Sequence, residues 1–315
     1  MTSVERNVQA RLQSSRPLLL DAAMGSDLDR RGVKTSLPLW SAIGLLEAPD
    51  VVKRIHRDNL EAGADILTTN TFRTTRWSLR KAGIDEDRAV ALDALAVKLA
   101  SSARSESSRP DVLIAGSIAP LDDCYLPTFE TDAKEALAEH RAQAENLAEA
   151  GVDFFLVETM PTITEATVAL AAATATGLPT MVSFVCGSVP EGESEPRLLS
   201  GEQLSAAVAR AAEFAPVAVL VNCAATTVID AGIAALRAAS DLPIGGYANV
   251  GHVDDDVGWS SAGGISAPDY AAAAERWLQA GASVIGGCCG TNPEHTAALR
   301  TLIDRRHSGC NLPNH

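Results

Sequence analysis

The sequence predicts an α/β fold, a single-domain (β/α)8 TIM barrel, on the strength of three observations. Apolar runs of strand length alternate with Ala-, Leu- and Glu-rich stretches of helical length almost from end to end, as in repeated βα units around a parallel sheet. About eight such units can be counted, the number that closes a barrel. The strings EAGADILTTN, EAGVDFFLVE and QAGASVIGGC repeat one plan, from a helix end through a glycine into a strand. Glycine there suits the left-handed position that ends a helix.

In chain order, strands are expected at residues 17–21, 65–69, 112–115, 154–158, 180–184, 217–222, 244–247 and 283–286. Each is apolar through its body, as a strand buried on both faces should be. Their ends change character. Counting seven residues on from Gly63, Gly151 and Gly281 reaches Asn70, Glu158 and Cys288. Other strands run out into Asp21 with Gly25, Gly116 with Ser117, Asn222 with Cys223, and Asn249 with Gly251. One polar residue in such a place only marks the start of a loop, but recurrence over several strands points to a shared site on the C-terminal face, where such barrels carry their chemistry.

Composition sets the limits. At 315 residues and 46% hydrophobic, the chain can bury one large core. Residues 1–315 are therefore expected to form one domain, with its core at about 17–305 and a flexible tail after Arg306. Residues 101–110 and 189–196 are expected as surface loops. Lys and Arg number 26 against 40 Asp and Glu, a formal net charge of -14, which disfavours nucleic acid and anionic membranes as partners. Residues 1–17 lack the apolar stretch of a secretory signal and no later run approaches a membrane span, so a cytoplasmic location is expected. Six cysteines are too few for a disulfide framework in a chain this long.

Cys124, Cys186 and Cys310 are solitary and receive no role. Cys288 and Cys289 are adjacent in a glycine-rich turn, and Cys223 follows the sixth apolar run. The doublet by itself equally suits a buried apolar pair or a vicinal disulfide. Together with Cys223, the glycines and the strand-end pattern, it suits zinc: a catalytic zinc takes three protein ligands and keeps a fourth position open. Gly286, Gly287 and Gly290 are expected to supply positive φ so that both side chains turn toward one ion. Three thiolates make an electron-rich centre, better suited to binding and ionising a further thiol than to activating water. No histidine dyad offers itself, since His56, His140 and His295 fall on helical stretches where a solvated face is expected.

At these residues the sequence resembles the homocysteine S-methyltransferase family, which includes enzymes using S-methylmethionine or betaine and the homocysteine half of cobalamin-dependent methionine synthase. The resemblance runs from about Leu18 to Leu302. Its most specific segment is GASVIGGCCGTNPEHTAAL, followed by LVNC ending at Cys223, LLLDAAMGSDLDRRG from Leu18, ADILTTNTF from Ala64, and VET at 157–159. It implies zinc held by Cys223, Cys288 and Cys289, and homocysteine with its ammonium on Glu158. Asp21 and the turn through Gly25 would lie against the polar end of that amino acid, with Thr71 and Asn222 also among the substrate-binding residues. The chain departs from the family at Ala22, often glycine, and at Ala248, where a proline often precedes the asparagine. Trp40, in an LPLWSA segment like that of S-methylmethionine-using relatives, and the acidic stretch 251–259 are candidates for attracting a sulfonium or quaternary ammonium, and equally suit a core tryptophan and a solvated loop.

The resemblance thus implies a zinc-dependent methyltransferase that moves a methyl group from a cationic small molecule to the thiol of homocysteine, giving methionine. S-methylmethionine is preferred as donor over S-adenosylmethionine or betaine. The alternatives are a related thiol or selenol as acceptor, a separate corrinoid protein as donor, or a non-catalytic zinc or thiol-redox protein that cycles Cys288 and Cys289 through a disulfide.

Overall fold

A computed structural model describes residues 3–254, 258–260 and 264–309. All eight expected strands form. They are β1 (Leu18–Leu19), β2 (Ile66–Thr68), β3 (Leu113–Ile118), β4 (Phe154–Met160), β5 (Thr180–Phe184), β6 (Ala218–Asn222), β7 (Ile244–Ala248) and, after an unforeseen antiparallel hairpin of β8 (His252–Asp254) and β9 (Gly258–Ser260), β10 (Ala282–Gly287). The sheet is parallel, in the order β1-β10-β7-β6-β5-β4-β3-β2. Its two edges meet through a Leu20–Ile66 bridge, where Asp65 N donates to Leu19 O at 2.7 Å and Asp21 N to Ile66 O at 3.1 Å. The result is a nearly closed (β/α)8 barrel in one domain.

Both faces of the sheet are dry, which is why the strands read as continuous apolar runs. Leu18, Leu20, Ile66, Leu113, Phe154 and Leu220 fill the barrel interior. The alternating Leu19, Leu67, Ile114, Phe155 and Val219 pack into the layer between strands and helices. Each such side chain stabilises the fold by about 1.5–3 kcal/mol. Gly63, Gly151 and Gly281 have φ of 103, 92 and 93, the left-handed geometry expected of the repeat.

The helix Ser3–Leu12 adds Val8 and Leu12 to the interior core, so the core begins ahead of residue 17. Residues 101–105 belong to the helix Ala89–Ser105 rather than a loop, whereas 189–196 form neither helix nor strand. The helix Pro293–Gly309 continues past Arg306; Cys310 and the rest of the tail lie outside the described residues. No described helix is long and apolar enough to cross a membrane. His56, His140 and His295 are buried, not solvated: His140 turns toward Glu165 and His295 packs edge-on against Tyr270, both on neighbouring helices.

Candidate active site

A cavity of about 500 Å³ opens at the C-terminal ends of the strands. Four described non-glycine residues have positive φ, and three of them line it: Trp40 (φ 47), Thr159 (φ 64) and Cys223 (φ 57). Such backbone costs roughly 1–3 kcal/mol per residue and persists only where surrounding contacts enforce it. At Thr159 the enforcement is visible. Asn222 Oδ1 accepts from Thr159 N at 3.2 Å and from Ser183 Oγ at 2.7 Å, and Asn222 Nδ2 donates to Thr159 Oγ1 at 2.8 Å. A register shift of β4 against β5 between Val157 and Met160 accompanies this, the kind of bulge that re-aims a side chain beside a site. Glu158 sits within it and lines the cavity.

Cys223 follows β6 and Cys288 and Cys289 follow β10. Their sulfurs all lie within 4.8 Å of one another, with Cys223 and Cys289 at 3.9 Å. Sulfurs sharing a tetrahedral ion at Zn–S bonds near 2.3 Å stand roughly 3.8 Å apart, so the donor set fits one thiophilic cation. All five described cysteines are free thiols. Within the trio, hydrogen bonds from Cys288 and Cys289 hold the Cys223 thiol well below its usual range. The same contacts, with burial, push Cys288 and Cys289 well above theirs.

The glycines act differently from expectation. Only Gly290 has positive φ (82). Gly286 and Gly287 serve close packing, since an added Cβ would stand 2.5 Å from Leu20 Cβ and 2.4 Å from Thr291 Oγ1 respectively. The left-handed turn that aims a sulfur belongs to Cys223 itself.

Two buried carboxylates face the cavity without a counter-ion. Asp21 Oδ2 accepts from Thr68 N at 3.0 Å, and burial pushes its pKa up to about 7. His56 Nδ1 is 4.0 Å away, but burial lowers that imidazole to about 4, so the ring is neutral and the contact is no ion pair. Glu158 accepts from Ser117 Oγ at 2.6 Å and Tyr247 OH at 2.9 Å. Burial outweighs both and raises Glu158 to about 7.

Gly25 lines the wall, under the Trp40 indole, where an added Cβ would lie 2.4 Å from Nε1. Trp40 is half-buried there rather than part of a closed core. Thr71 and Asn222 do not line the cavity. Thr71 is fully buried, donating to Ser117 O at 2.8 Å, and its neighbours Asn70 and Phe72 face the cavity instead. Asn222 stands behind Thr159, with Nδ2 4.0 Å from Cys288 Sγ. Ala22 is outside the left-handed region, so it needs no glycine. Ala248 N donates to Tyr270 OH at 2.8 Å, a bond proline would forfeit. Residues 255–257 of the acidic stretch lie outside the described residues.

Sequence reasoning missed Tyr125, Tyr247, Arg73 and Cys124 as cavity residues. Tyr125 OH lies 3.1 Å from Cys223 Sγ and accepts from Asn249 Nδ2 at 3.2 Å. Tyr247 had a usable signal, a lone aromatic near the end of an apolar strand; the others lie in loops, which have no periodicity to read.

A family model described as homocysteine S-methyltransferase matches residues 18–303. The chain is 32% identical over 309 residues to the homocysteine S-methyltransferase of Escherichia coli (strain K12), covering 93% of this chain and 97% of that one. It is 29% identical over 328 residues to the selenocysteine methyltransferase of Astragalus bisulcatus, covering 94% and 95%. The structure of the homocysteine methyltransferase MmuM from Escherichia coli in its metallated form matches with a TM-score of 0.78 at 30% identity, over 94% of this chain and 99% of that one.

Proposed function

The chain belongs to the homocysteine S-methyltransferase family, and on that premise we propose that it moves a methyl group from S-methylmethionine to the thiol of homocysteine, with zinc held by Cys223, Cys288 and Cys289. The observation that carries this is the meeting of three remote sulfurs within 4.8 Å, on the wall of a cavity that also presents Asp21 and Glu158 without counter-ions. Zinc bound there would supply a Lewis acid that lowers the pKa of a substrate thiol.

The protein's own groups do the rest. Glu158, ionised and held by Ser117 and Tyr247, receives the ammonium of homocysteine, which gives its buried charge a partner. Asp21 and the Gly25 backbone bound the polar end of the same amino acid. Asn222 keeps the bulged Thr159 in its strained conformation and so fixes the direction of Glu158; it is a positioning residue. Thr71 braces β3 by its bond to Ser117 O. The homocysteine sulfur, having lost its proton, attacks the methyl carbon; the bond from that carbon to the cationic sulfur of the donor breaks, and the electron pair stays with the donor. Trp40 offers an aromatic face for that cation.

The test is methionine formation from homocysteine by zinc-loaded protein with S-methylmethionine, S-adenosylmethionine and betaine in turn. S-methylmethionine should give the highest kcat/KM, and no turnover with any of the three defeats the small-molecule donor and leaves a corrinoid protein as the source. A selenol acceptor is the second reading, favoured by the similarity to a selenocysteine methyltransferase, and selenocysteine offered as acceptor tests it. Zinc content with thiol titration separates both from a redox protein: about one zinc per chain supports the methyltransferase, and a metal-free, oxidised Cys288–Cys289 pair supports the redox alternative.

A further inference from the structure

Arg73 is 4% exposed and lines the cavity, yet among the described residues it has no carboxylate partner. Its Nη1 donates to the carbonyls of Pro120, Leu121 and Asp122 at 2.8, 3.3 and 2.6 Å, and its Nε has no partner at all. Its Cζ lies 5.2 Å from the Phe72 ring centroid. A guanidinium buried without a counter-ion is costly, and its planar fork is shaped for a carboxylate. Other part-buried arginines, such as Arg104 and Arg300, meet Asp153 and Asp65.

We propose that Arg73 binds the carboxylate of the methyl donor and thereby selects carboxylate-bearing cations as donors. The inference rests on the methyl-transfer function set out above. The loop that Arg73 grips at Pro120–Asp122 continues to Tyr125, whose hydroxyl touches Cys223 Sγ. Arg73, Cys124, Tyr125 and Cys223 all line the one cavity, so the arginine and the sulfurs share its wall. The homocysteine ammonium has its own partners in Asp21 and Glu158. A donor whose methyl group reaches the same sulfur from the opposite side, in line with its leaving sulfur, directs its tail to a different wall. Arg73 alone would repel a sulfonium; a carboxylate between them cancels that repulsion.

The experiment compares S-methylmethionine with its carboxamide analogue in zinc-loaded wild type, Arg73→Gln and Arg73→Lys. Wild type should prefer the carboxylate in kcat/KM by at least about tenfold. Arg73→Gln should lower kcat/KM for S-methylmethionine about tenfold to a hundredfold, bring the preference over the carboxamide close to unity, and leave the KM for homocysteine within about twofold; Arg73→Lys should keep part of the preference. Equal losses with both donors would mean that Arg73 only holds the Pro120–Asp122 loop, and a raised homocysteine KM would move its ligand to the acceptor; either overturns the proposal. Should Arg73→Gln not fold, equal use of both donors by wild type overturns it alone. Calorimetric binding of S-methylmethionine to wild type and variant gives the same contrast without turnover. Binding that depends on Arg73 with no methionine formed would count against the methyl-transfer function and uphold the carboxylate site.

Discussion

The two ends of the barrel treat charge in opposite ways. At the N-terminal end, Asp65 accepts from Leu19 N at 3.1 Å and pairs with Arg109 at 2.7 Å, Arg300 at 3.0 Å and Arg11 at 3.5 Å. At the C-terminal end Asp21, Glu158 and Arg73 line one cavity with no ionised partner among the described residues. One repeat builds both ends. Just after Gly63 and Gly151 come Asp65 and Asp153, each accepting an N–H of the preceding strand and each paired with arginine; Asp153 binds Ile114 N and Arg104, both at 2.7 Å. Further along the same strands come Asn70 and Glu158, facing the cavity. Saturated charges lock strands together, whereas charges left unsaturated hold free energy in reserve for a ligand.

The largest effect that would test this division is at the open end. Cys289→Ser should reduce metal from about one ion per chain to near zero after dialysis and lower turnover by at least ~10³-fold, on the order of 4 kcal/mol. The thermal midpoint of the metal-free protein should hardly move. At the saturated end Asp65→Ala should do the reverse. It should cost about 2–3 kcal/mol in denaturant unfolding, below the ~3–5 of a fully buried pair because Arg11 and Arg109 keep 21% and 28% exposure. Metal content and homocysteine KM of the folded fraction should stay unchanged, and a raised KM with intact stability would erase the distinction between the ends.

Proton linkage sharpens the contrast. Burial raises Glu158 from an ordinary 4.5 to about 7, so the folded, substrate-free protein binds this proton more tightly than the unfolded chain. Its contribution to stability is complete below about pH 4.5 and is lost as pH rises through about 7. Relative to Glu158→Gln, wild type should therefore lose about 2–3 kcal/mol of unfolding free energy between pH 5 and 8. The difference between the two proteins removes the opposing titration of His56; because the Glu158 charge helps to raise Asp21, the variant also sheds that part of the Asp21 shift, which has the same sign. Homocysteine binding should follow the other sign, tightening as Glu158 ionises. Glu158→Ala should weaken it about tenfold to a hundredfold with zinc retained, and unchanged affinity would take the ammonium away from Glu158.

Strands and sulfurs were legible in the sequence for physical reasons. A strand buried on both faces leaves no polar position in its body, and Leu18 to Leu20 or Phe154 to Val157 show it. Three glycines at helix ends record a backbone sign that only glycine adopts cheaply, and the same count locates Asn70, Glu158 and Cys288. Thr71 departs from its expected role because a motif names a segment, not a direction: past the end of β2 its hydroxyl turns to Ser117 O, while Thr69, Asn70 and Phe72 line the cavity. His56, His140 and His295 depart from expectation because a lone polar residue in a helical stretch carries no sequence signal of burial. Arg73 and Tyr125 lie in loops, whose course depends on contacts that no short window contains.

Tyr125 offers the smallest test and the finest one. Burial raises its pKa, so the hydroxyl keeps its proton; with Asn249 Nδ2 donating to its oxygen at 3.2 Å, that proton is directed to Cys223 Sγ at 3.1 Å. A hydrogen bond to a sulfur that holds a metal fixes the sulfur's orientation, and losing such a partner typically weakens metal binding 10–100-fold. Tyr125→Phe removes the hydroxyl and keeps the ring, so the expected loss is the lower figure, about tenfold, in zinc affinity measured against a competing chelator. Unfolding free energy should shift by less than about 1 kcal/mol. If stability falls and zinc affinity holds, Tyr125 belongs with the saturated contacts that fasten the barrel, and the open end is smaller than the cavity wall suggests.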